Sequence, residues 1–359
     1  MRNDRIFLSL YLVFGFVLCS LRSSYGASEK TAGEALERYS RLSAGERKRV
    51  VEEGAKKEGA VSFYGTMSAS DAKVLIDQFQ RQYPYLTVHH IRAGASPMLN
   101  RVLSEHQGGR RDADLIGITG AGAYVLIERG LIDPYFSPER KAIRNDFISP
   151  KGLWAAVELY LIVVGYNTRS VSAADIPKSY ADLLDKKWAG AISLDQTDQD
   201  WLQTLALEWG EAKATEYLKG LMQLKPKLQR GRELRAQMLA AGEFSLAATL
   251  YGYRVRNLKA LGAPIHAVAI PPIMAFPNVL MLARYAPHPH GAALFMDWLL
   301  SEKGQAMIET ELGRDPTRRG MGGAIDQTIG GRPLKVMAPE ELGPKTEYYT
   351  KLYRKITSQ

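Results

Sequence analysis

Cysteine is almost missing from this chain. The one cysteine among 359 residues, Cys19, lies in an apolar run over residues 6–21 that follows Arg2 and Arg5. A positive start, a short apolar run and small residues near a cleavage point are typical of a secretory signal peptide, and we predict cleavage after Gly26. The mature chain then has no cysteine, which excludes disulfides and thiol catalysis.

The features of a membrane anchor are also missing. The apolar run covers about 16 residues, whereas a helix that spans a bilayer needs about 20. Leu18 precedes Cys19, and lipoprotein processing prefers a small residue at that position. We therefore expect residues 1–26 to be removed as a signal peptide and the mature protein to carry no lipid anchor.

Motifs of catalysis and of cofactor binding are missing too. The six histidines do not have the spacing of metal ligands, and the chain has no GxSxG and no P-loop. Gly117, Gly120 and Gly122 do not match the GxGxxG pattern of dinucleotide-binding folds. The sequence therefore predicts no catalytic residue, no metal site and no cofactor.

A concentrated basic segment is missing as well. The net charge is +9, but the lysines and arginines are scattered along the chain, with no long basic block beside aromatic residues. Nucleic-acid-binding proteins favour such a block. We expect a solvated basic surface and no nucleic-acid partner.

The chain does have the length for two domains and a clear α/β alternation. A chain of 359 residues, 46% of them hydrophobic, exceeds what one core usually holds. Strands are predicted at 60–64, 86–91 and 112–118, each followed by a small-residue loop and a helix. Ligands of parallel sheets bind at such loops, although the same residues also make turns and helix caps. The candidate ligand-binding residues here are Thr66, Met67, Ser68, Gly94, Ala95, Ser96, Thr119 and Gly120.

The middle of the chain is expected to change domain. The apolar stretch over residues 153–167 predicts two consecutive strands that carry the chain from one sheet to another. A later strand at 191–194 leads into Asp195, Thr197 and Asp198 at the start of a helix. These side chains can cap the helix. A carboxylate that faces a cleft instead favours an amine, a hydroxyl or a bound cation, so all three are candidate ligand-binding residues.

Several segments occur in a recognisable order. They are KKEGAVSFYGTMSASDAKVLIDQFQRQYP, RDADLIGITGAGAYVLIERGLIDPY, VVGYN, KKWAGAIS, LAAGEFSLAA and APHPHGAALFMDWLLSEKGQ. In this order the chain resembles the periplasmic substrate-binding proteins of ABC transporters, in the branch similar to ferric-iron-binding proteins.

The resemblance implies an α/β type II periplasmic-binding-protein fold. Two lobes, each a mainly parallel sheet flanked by helices, enclose a ligand cleft between them. The first lobe is expected at residues 58–158 and 271–320, and the second at residues 159–270. A helical lead-in at 27–57 precedes them, and a C-terminal extension at 321–359 is expected to pack on a lobe.

The resemblance also implies a monomeric periplasmic receptor that hands a small-molecule solute to a membrane permease. Two alternatives stay open from the sequence. The chain could be the ligand-binding sensor of a membrane signalling partner, which a lack of neighbouring permease and ATPase genes would favour. It could also be an enzyme on the same scaffold, which turnover of a bound solute would favour.

The iron ligands of the resembled family are not all present. By the flanking motifs, the family's histidine falls near Ser68, its glutamate near Thr119, and its adjacent tyrosines become Tyr251 and Tyr253, separated by Gly252. Two phenolates alone leave most of the coordination sphere of a hard ferric ion open. The solute therefore stays open among a ferric chelate, a small organic acid or phosphonate, and a polyamine-like molecule.

Three residues of this last segment are candidate ligand contacts. Tyr251 and Tyr253 diverge by about 200° if both are helical, so we expect one of the two rings to face the cleft. Arg254 follows within one turn and is a bidentate donor for a carboxylate or phosphonate. Packing in the core is the alternative for the tyrosines, and exposure to solvent is the alternative for the arginine.

Overall fold

The computed structural model describes residues 30–358. The expected signal peptide, residues 1–26, lies outside the described residues. Within residues 30–358, no helix combines the length and the apolar character needed to cross a membrane.

Eleven strands of the described chain join in one sheet, in the order β2-β1-β3-β10-β5-β8-β6-β7, with β4 and β11 paired to β10 and β9 paired to β5. The strands are β1 (Ala60–Gly65), β2 (Thr87–Arg92), β3 (Leu115–Thr119), β4 (Ile132–Asp133), β5 (Ala155–Asn167), β6 (Ile192–Asp195), β7 (Lys227–Gln229), β8 (Leu246–Tyr251), β9 (Ile265–Val268), β10 (Ile273–Ala283) and β11 (Leu334–Val336).

Helices flank this sheet. The α-helices are α1 (Ala32–Glu37), α2 (Ala44–Glu58), α3 (Ala69–Gln82), α4 (Ala95–Gln107), α5 (Ala121–Glu128), α6 (Gln199–Trp209), α7 (Glu211–Gln223), α8 (Arg232–Ala241), α9 (Gly252–Ala260), α10 (Pro289–Leu300), α11 (Glu302–Thr310), α12 (Gly323–Ile329), α13 (Pro339–Leu342) and α14 (Thr346–Thr357). Short 3-10 helices lie at Arg38–Arg41, Pro138–Ala142, Asn145–Phe147, Ala173–Asp175, Ala181–Leu184, Lys186–Trp188 and Gly343–Lys345.

The strand pairing divides the molecule into two lobes. Parallel strands β1, β2 and β3 form the centre of the first lobe. Parallel strands β6, β7 and β8 form the centre of the second lobe. The antiparallel strands β5 and β10 lie side by side between them. Each lobe therefore has its own parallel part of the sheet, and the long strands β5 and β10 connect the two parts.

The apolar stretch expected to form two strands forms one. β5 runs unbroken from Ala155 to Asn167, and all of its residues are buried. Its first half pairs with β10, and its second half pairs with β8 and β9. Because both faces are covered, the sequence shows no polar alternation that would mark where one lobe ends and the next begins.

Each lobe has an aromatic core. In the first lobe Phe79 packs against Phe295 with ring centroids 4.7 Å apart. In the second lobe Trp201 is fully buried and meets Tyr217 edge to face at 6.1 Å. Burying one such side chain contributes roughly 1.5–3 kcal/mol. Phe79 and Trp201 belong to separate clusters of buried residues.

The C-terminal extension contacts both lobes. β11 pairs in parallel with β10, α13 lies against α5 of the first lobe, and α14 lies against α6 and α7 of the second lobe. The buried Tyr353 donates a hydrogen bond of 2.5 Å to the carbonyl oxygen of Asp195, at the end of β6. The extension thus reaches the same strand ends at which the candidate site residues lie.

Candidate functional site

The first predicted loop follows β1. The Thr66 amide donates to the Gly117 carbonyl at 3.0 Å, and its hydroxyl oxygen is buried with no hydrogen-bond partner among the described residues. Met67 is 3% exposed and packs in the core. Ser68 caps α3 by accepting a hydrogen bond of 3.1 Å from the Asp71 amide. Of these three residues, Thr66 is the one that leaves a polar atom without a partner.

The other two loops of the first lobe differ in their surroundings. Gly94, Ala95 and Ser96 begin α4 without a side-chain cap, and Gly94 and Ser96 are exposed. Thr119 ends β3, and Gly120 precedes α5 with a φ of 67°, in the left-handed region that favours glycine. A Cβ atom on Gly120 would lie 3.0 Å from Asp200 Oδ2. Gly120 is therefore a point at which the first lobe touches the second.

Asp195 and Thr197 make a turn in the second lobe. Asp195 Oδ1 accepts from the amide and the hydroxyl of Thr197, each at 2.9 Å. Its Oδ2 accepts from the Gly231 amide at 2.9 Å. These bonds tie the end of β6 to the start of α8, which holds Arg232 in position.

Asp198 occupies the cap position of α6, yet its side chain does not cap the helix. Its carboxylate instead pairs with the Arg232 guanidinium and accepts a hydrogen bond from the Thr249 hydroxyl. Burial raises the pKa of Asp198, and the nearby Arg232 opposes that rise. The carboxylate and the guanidinium thus form a buried pair beside the cleft, where removal of either partner leaves a buried charge.

Three tyrosines meet between the lobes. They are Tyr160 on β5, Tyr251 at the end of β8 and Tyr253 in the first turn of α9. Ring centroids lie 4.7 Å apart for Tyr160 and Tyr251, 6.0 Å for Tyr160 and Tyr253, and 5.8 Å for Tyr251 and Tyr253. We call these three residues the tyrosine cluster. Each tyrosine of the cluster combines an apolar aromatic face with a polar hydroxyl group.

Both sequence-predicted tyrosines belong to this cluster, and they do not diverge because the condition for divergence, that both be helical, is not met. Tyr251 is extended, with φ −81° and ψ 125°, and α9 begins at the next residue. The rotation of about 100° per residue holds only inside a helix. The two rings consequently lie 15° from parallel.

Two arginines pack on the tyrosine cluster. Arg314 lies 4.5 Å from the centre of the Tyr253 ring, and Arg232 lies 5.2 Å from the centre of the Tyr251 ring. Arg314 also pairs with Asp71 Oδ2 at 2.5 Å and with Glu158 Oε2 at 3.0 Å. Guanidinium groups over aromatic faces are attracted by the ring quadrupole, so both cations are held within the cleft.

The predicted Arg254 does not join this network. It forms no hydrogen bond or ion pair with the tyrosine cluster, and its Nε is buried without a partner among the described residues. The cationic groups that contact the cluster come from α8 and from the segment after α11.

A continuous set of contacts crosses from lobe to lobe. Asp71 of α3 pairs with Arg314, Arg314 packs on Tyr253, and the Tyr253 hydroxyl donates to Glu233 of α8. On the connecting strands, Glu158 Oε1 accepts from Tyr160 and from Asn278, each at 2.8 Å. A solute placed here would contact both lobes and the strands between them.

Several buried polar atoms of this region have no hydrogen-bond partner in the part of the chain that the structure describes. Buried polar groups normally have partners, so such atoms mark where a ligand or water can bind. They comprise both hydrogen-bond donors and acceptors: Thr66 Oγ1, Asp200 Oδ1, Asn278 Oδ1 and Arg232 Nε.

A bare metal ion does not fit this donor set well. Residues 30–358 contain no group of three or more histidine, cysteine, aspartate or glutamate side chains placed to hold a metal. Burial raises the pKa of Tyr160 and of Tyr253, which favours neutral phenols over the phenolates that a metal needs. Arg232 and Arg314 add positive charge beside the rings.

Several residues of the network were not among the predicted site residues. Glu158 and Tyr160 lie in a stretch that the sequence predicts to be apolar strand. A glutamate inside a buried run is the available signal, because buried charges are almost always paired. Arg314 and Asp71 lie far apart in sequence, and no local pattern connects them.

The buried Asp200 should make the stability of the folded protein depend on pH. Burial raises its pKa to about 6, with Asp198 adding to the rise and Arg232 opposing it. Between the ordinary aspartate pKa and about 6, the folded protein keeps a proton that the unfolded chain has lost, so stability falls as pH rises through this window. We expect Asp200→Asn to be more stable than the parent at about pH 7.5, and this gain to vanish near pH 4. Urea unfolding at the two pH values measures it.

The matched control for that prediction is Asp185→Asn, which changes an exposed aspartate. It should alter stability by no more than a few tenths of a kcal/mol at either pH. An Asp200→Asn variant with the parent's stability at both pH values would contradict the role assigned to burial.

The chain is similar in sequence to bacterial binding proteins. Residues 123–318 match the family described as bacterial extracellular solute-binding protein. Iron uptake protein A1 of Synechocystis sp. is 24% identical over 241 residues, which are 62% of this chain and 66% of that protein. The chain thus spans slightly under two thirds of the length of that relative.

Solved structures share the fold. Iron-bound HitA from Pseudomonas aeruginosa has a TM-score of 0.72 at 19% identity, over 83% of this chain and 99% of that one. Trichodesmium IdiA (FutA), in complex with iron and citrate ligands, has a TM-score of 0.71 at 19% identity, over 84% of this chain and 100% of that one. These likenesses confirm the two-lobed type II periplasmic-binding-protein fold that the sequence predicts.

Proposed function

This chain belongs to the bacterial extracellular solute-binding proteins, and we propose that it is the periplasmic receptor of an ABC importer. In this proposal the protein is a monomer that captures a small solute between its lobes and delivers it to a membrane permease. It binds its solute and does not transform it. The contacts that cross from Asp71 through Arg314 and Tyr253 to Glu233 are the observation that supports it most directly.

Capture takes place by closure of the two lobes. β5 pairs with strands of both lobes, and β10 lies beside it and pairs with β3 of the first lobe, so a small change along these two strands rotates one lobe against the other. A solute that contacts both lobes stabilises the closed state relative to the open one. Gly120 and Asp200 mark how closely the lobes approach on closure.

The solute we propose is a small polar organic acid that also carries hydroxyl or amino groups. Arg232 Nε can donate to an anionic group of the solute, and the acceptors Asp200 Oδ1 and Asn278 Oδ1 suit hydroxyl or amino donors. The tyrosine cluster packs on the carbon skeleton. A purely cationic polyamine leaves the Arg232 donor without a partner, so it is the less suitable class.

A ferric chelate of such an acid is the second candidate. Three phenols meet at the cluster, one more than the two tyrosines predicted from the sequence. Iron uptake protein A1 is also similar in sequence to this chain. Since the buried phenols would have to lose protons to bind iron, metal affinity should rise steeply with pH.

Thermal shift measurements separate these candidates. The panel contains citrate, ferric citrate, a simple phosphonate and spermidine, each tested on protein freed of bound solute by mild unfolding and refolding. A solute at 100 times its Kd stabilises the fold by about 2.7 kcal/mol. Stabilisation by citrate with an iron chelator present supports the free acid. Stabilisation by ferric citrate alone, with a visible phenolate-to-iron absorption band, supports the chelate.

Tyrosine variants test whether the cluster is the binding site. We expect Tyr251→Phe to weaken solute binding about fivefold, because the Tyr251 hydroxyl accepts from Arg232 Nη1 at 3.3 Å and so positions the guanidinium that donates to the solute. Loss of that position costs about one hydrogen bond to the solute, or about 1 kcal/mol. Tyr253→Phe should weaken binding to a similar degree. Isothermal titration with the solute that gives the largest thermal shift measures both.

The control is Tyr348→Phe, which removes an exposed hydroxyl bonded to Glu211 at 2.5 Å on the surface of the second lobe. Its affinity for the solute should equal the parent's. If no panel member binds and native mass spectrometry of the purified protein finds no retained solute, the receptor function is refuted. If a solute binds and both cluster variants bind it as the parent does, the cluster is not its site.

A further inference from the structure

A second cavity lies away from the tyrosine cluster. Its volume is about 510 Å³, and it opens between α9 and β9 of the second lobe and α12 of the C-terminal extension. Neither Tyr251 nor Tyr253 lines it, although Gly252, which separates them, does. Cavities of roughly 300–1,000 Å³ are the usual size for small-molecule sites.

All the charged side chains that line this cavity are basic. Lys178, Arg256, Lys259 and Arg332 line it together with His266, and no aspartate or glutamate is among the lining residues. Asp315, which pairs with Arg256, is buried and is not among the lining residues. Clustered cations repel one another unless an anion lies among them, so the cavity is electrostatically complementary to an anion.

Arg256, which lines this cavity, has a donor without a partner among the described residues. One of its terminal nitrogens pairs with Asp315. The other, Nη1, is buried and has no hydrogen-bond partner among residues 30–358. A buried guanidinium nitrogen without an acceptor is unusual, and an oxyanion in the cavity would supply the missing acceptor.

Lys259 and Arg332 are also positioned by neighbouring groups, and both remain charged. The Lys259 ammonium lies 2.6 Å from His266 Nε2, so one of its three protons is used and two are free. Arg332 is fixed by hydrogen bonds to the carbonyl oxygens of Ala269 at 2.8 Å and Thr328 at 2.9 Å. These contacts hold Arg332 at the cavity without neutralising its charge.

The helix geometry of α9 explains why these groups converge. Gly252, Arg256 and Lys259 are spaced i, i+4 and i+7, which places them on one face of the helix. α9 begins at Gly252 without a side-chain cap, so its first amides add partial positive charge at the cavity. The apolar part of the lining comes from Val163, Val255 and Val268.

We propose that this cavity is a second ligand site, which binds a small multiply charged oxyanion independently of the cleft. The chemistry shared by its ligands is two or more oxygen-borne negative charges on a compact skeleton, as in a phosphate compound or a polycarboxylate. The cations supply charge-assisted hydrogen bonds, and the apolar part of the lining accommodates a short carbon skeleton.

Isothermal titration of the full mature chain tests this site. The probes are pyrophosphate and citrate, each at constant ionic strength set with sodium chloride, since screening weakens exposed charges. We expect saturable binding of at least one probe. The double variant Lys178→Gln, Lys259→Gln should weaken that binding at least about tenfold, because two charge-assisted contacts are lost. Both lysines are exposed, so the substitutions leave the core intact.

The matched control is the double variant Lys141→Gln, Lys151→Gln, which removes the same charge from two exposed lysines of the first lobe. It should change the affinity by less than about twofold. Binding of pyrophosphate alone identifies a phosphate site, and binding of citrate alone identifies a carboxylate site.

Three results would overturn the proposal. They are no saturable binding of either probe, unchanged affinity in the Lys178, Lys259 variant, and an equal loss in the control pair. Tyr251→Phe should leave the affinity for pyrophosphate unchanged, because Tyr251 does not line this cavity. If Tyr251→Phe lowers the affinity for the probe and the Lys178→Gln, Lys259→Gln variant does not, the anion binds in the cleft and the second site is refuted.

Discussion

Replacing Arg314 by methionine is expected to destabilise the folded protein by about 3–5 kcal/mol. The Arg314 side chain is 6% exposed and Glu158, its partner at 3.0 Å, is fully buried. Methionine is similar in length but has no charge, so Glu158 would stay buried without its cation. Removal of one partner of a buried ion pair costs more than the pair contributes, since the remaining charge is not solvated.

Urea unfolding measures this loss, and Arg101→Met is a matched control. Arg101 also pairs with a buried glutamate, Glu105, at 2.7 Å, and also lies over a tyrosine ring, that of Tyr64. It is half exposed, however, and Glu105 has a second cation in Arg110. Arg101→Met should therefore cost at most about 1 kcal/mol. Equal losses of unfolding free energy in the two variants would contradict the larger cost assigned to removing Arg314 from a buried ion pair.

Gly120→Val is expected to weaken solute binding at least tenfold, or about 1.4 kcal/mol. A Cβ atom at this position already lies 3.0 Å from Asp200 Oδ2, and two further methyl groups extend toward the second lobe. The valine would keep the lobes from closing fully. In the proposed mechanism solute binding and closure are coupled, so the free-energy cost that the valine adds to closure is lost from the affinity.

Gly109→Val is the control for backbone strain. Gly109 also has a positive φ, 75°, but a Cβ atom there has no neighbour within 4 Å. Both valine variants should therefore lose similar stability, roughly 1–3 kcal/mol, while Gly120→Val alone loses affinity. Small-angle scattering with saturating solute should show compaction of the parent and of Gly109→Val and less compaction of Gly120→Val. Full compaction and parental affinity in Gly120→Val would refute closure at this contact.

Much of the fold could be predicted from local patterns. The strand expected at 60–64 is β1 (Ala60–Gly65), and the helix expected after its loop is α3 (Ala69–Gln82). Amphipathic periodicity and helix-start residues are local properties, so they can be identified without the tertiary structure. The division of residues 153–167 into two strands failed because burial on both faces removes that periodicity.

The candidate site was predictable only in part. Tyr251 and Tyr253 were predicted as candidate ligand contacts, and their common orientation depends on where α9 begins. Asp198 was expected to cap a helix or face a cleft, and its carboxylate pairs with Arg232 from another helix. Helix capping is a local interaction, whereas the competing ion pair forms only after two distant segments have folded together.

The sequence by itself determined the α/β order, the strand-end loops, the missing thiol and metal motifs, and the resemblance to two-lobed binding proteins. The tertiary structure alone decided that Tyr160, Arg314 and Glu158 meet Tyr253, and that Arg256 and Arg332 line a cavity of one charge sign. The physical reason is the range of the interactions. Secondary structure follows from neighbours within a few residues, whereas charge pairing and ring packing depend on distances in space that no local pattern encodes.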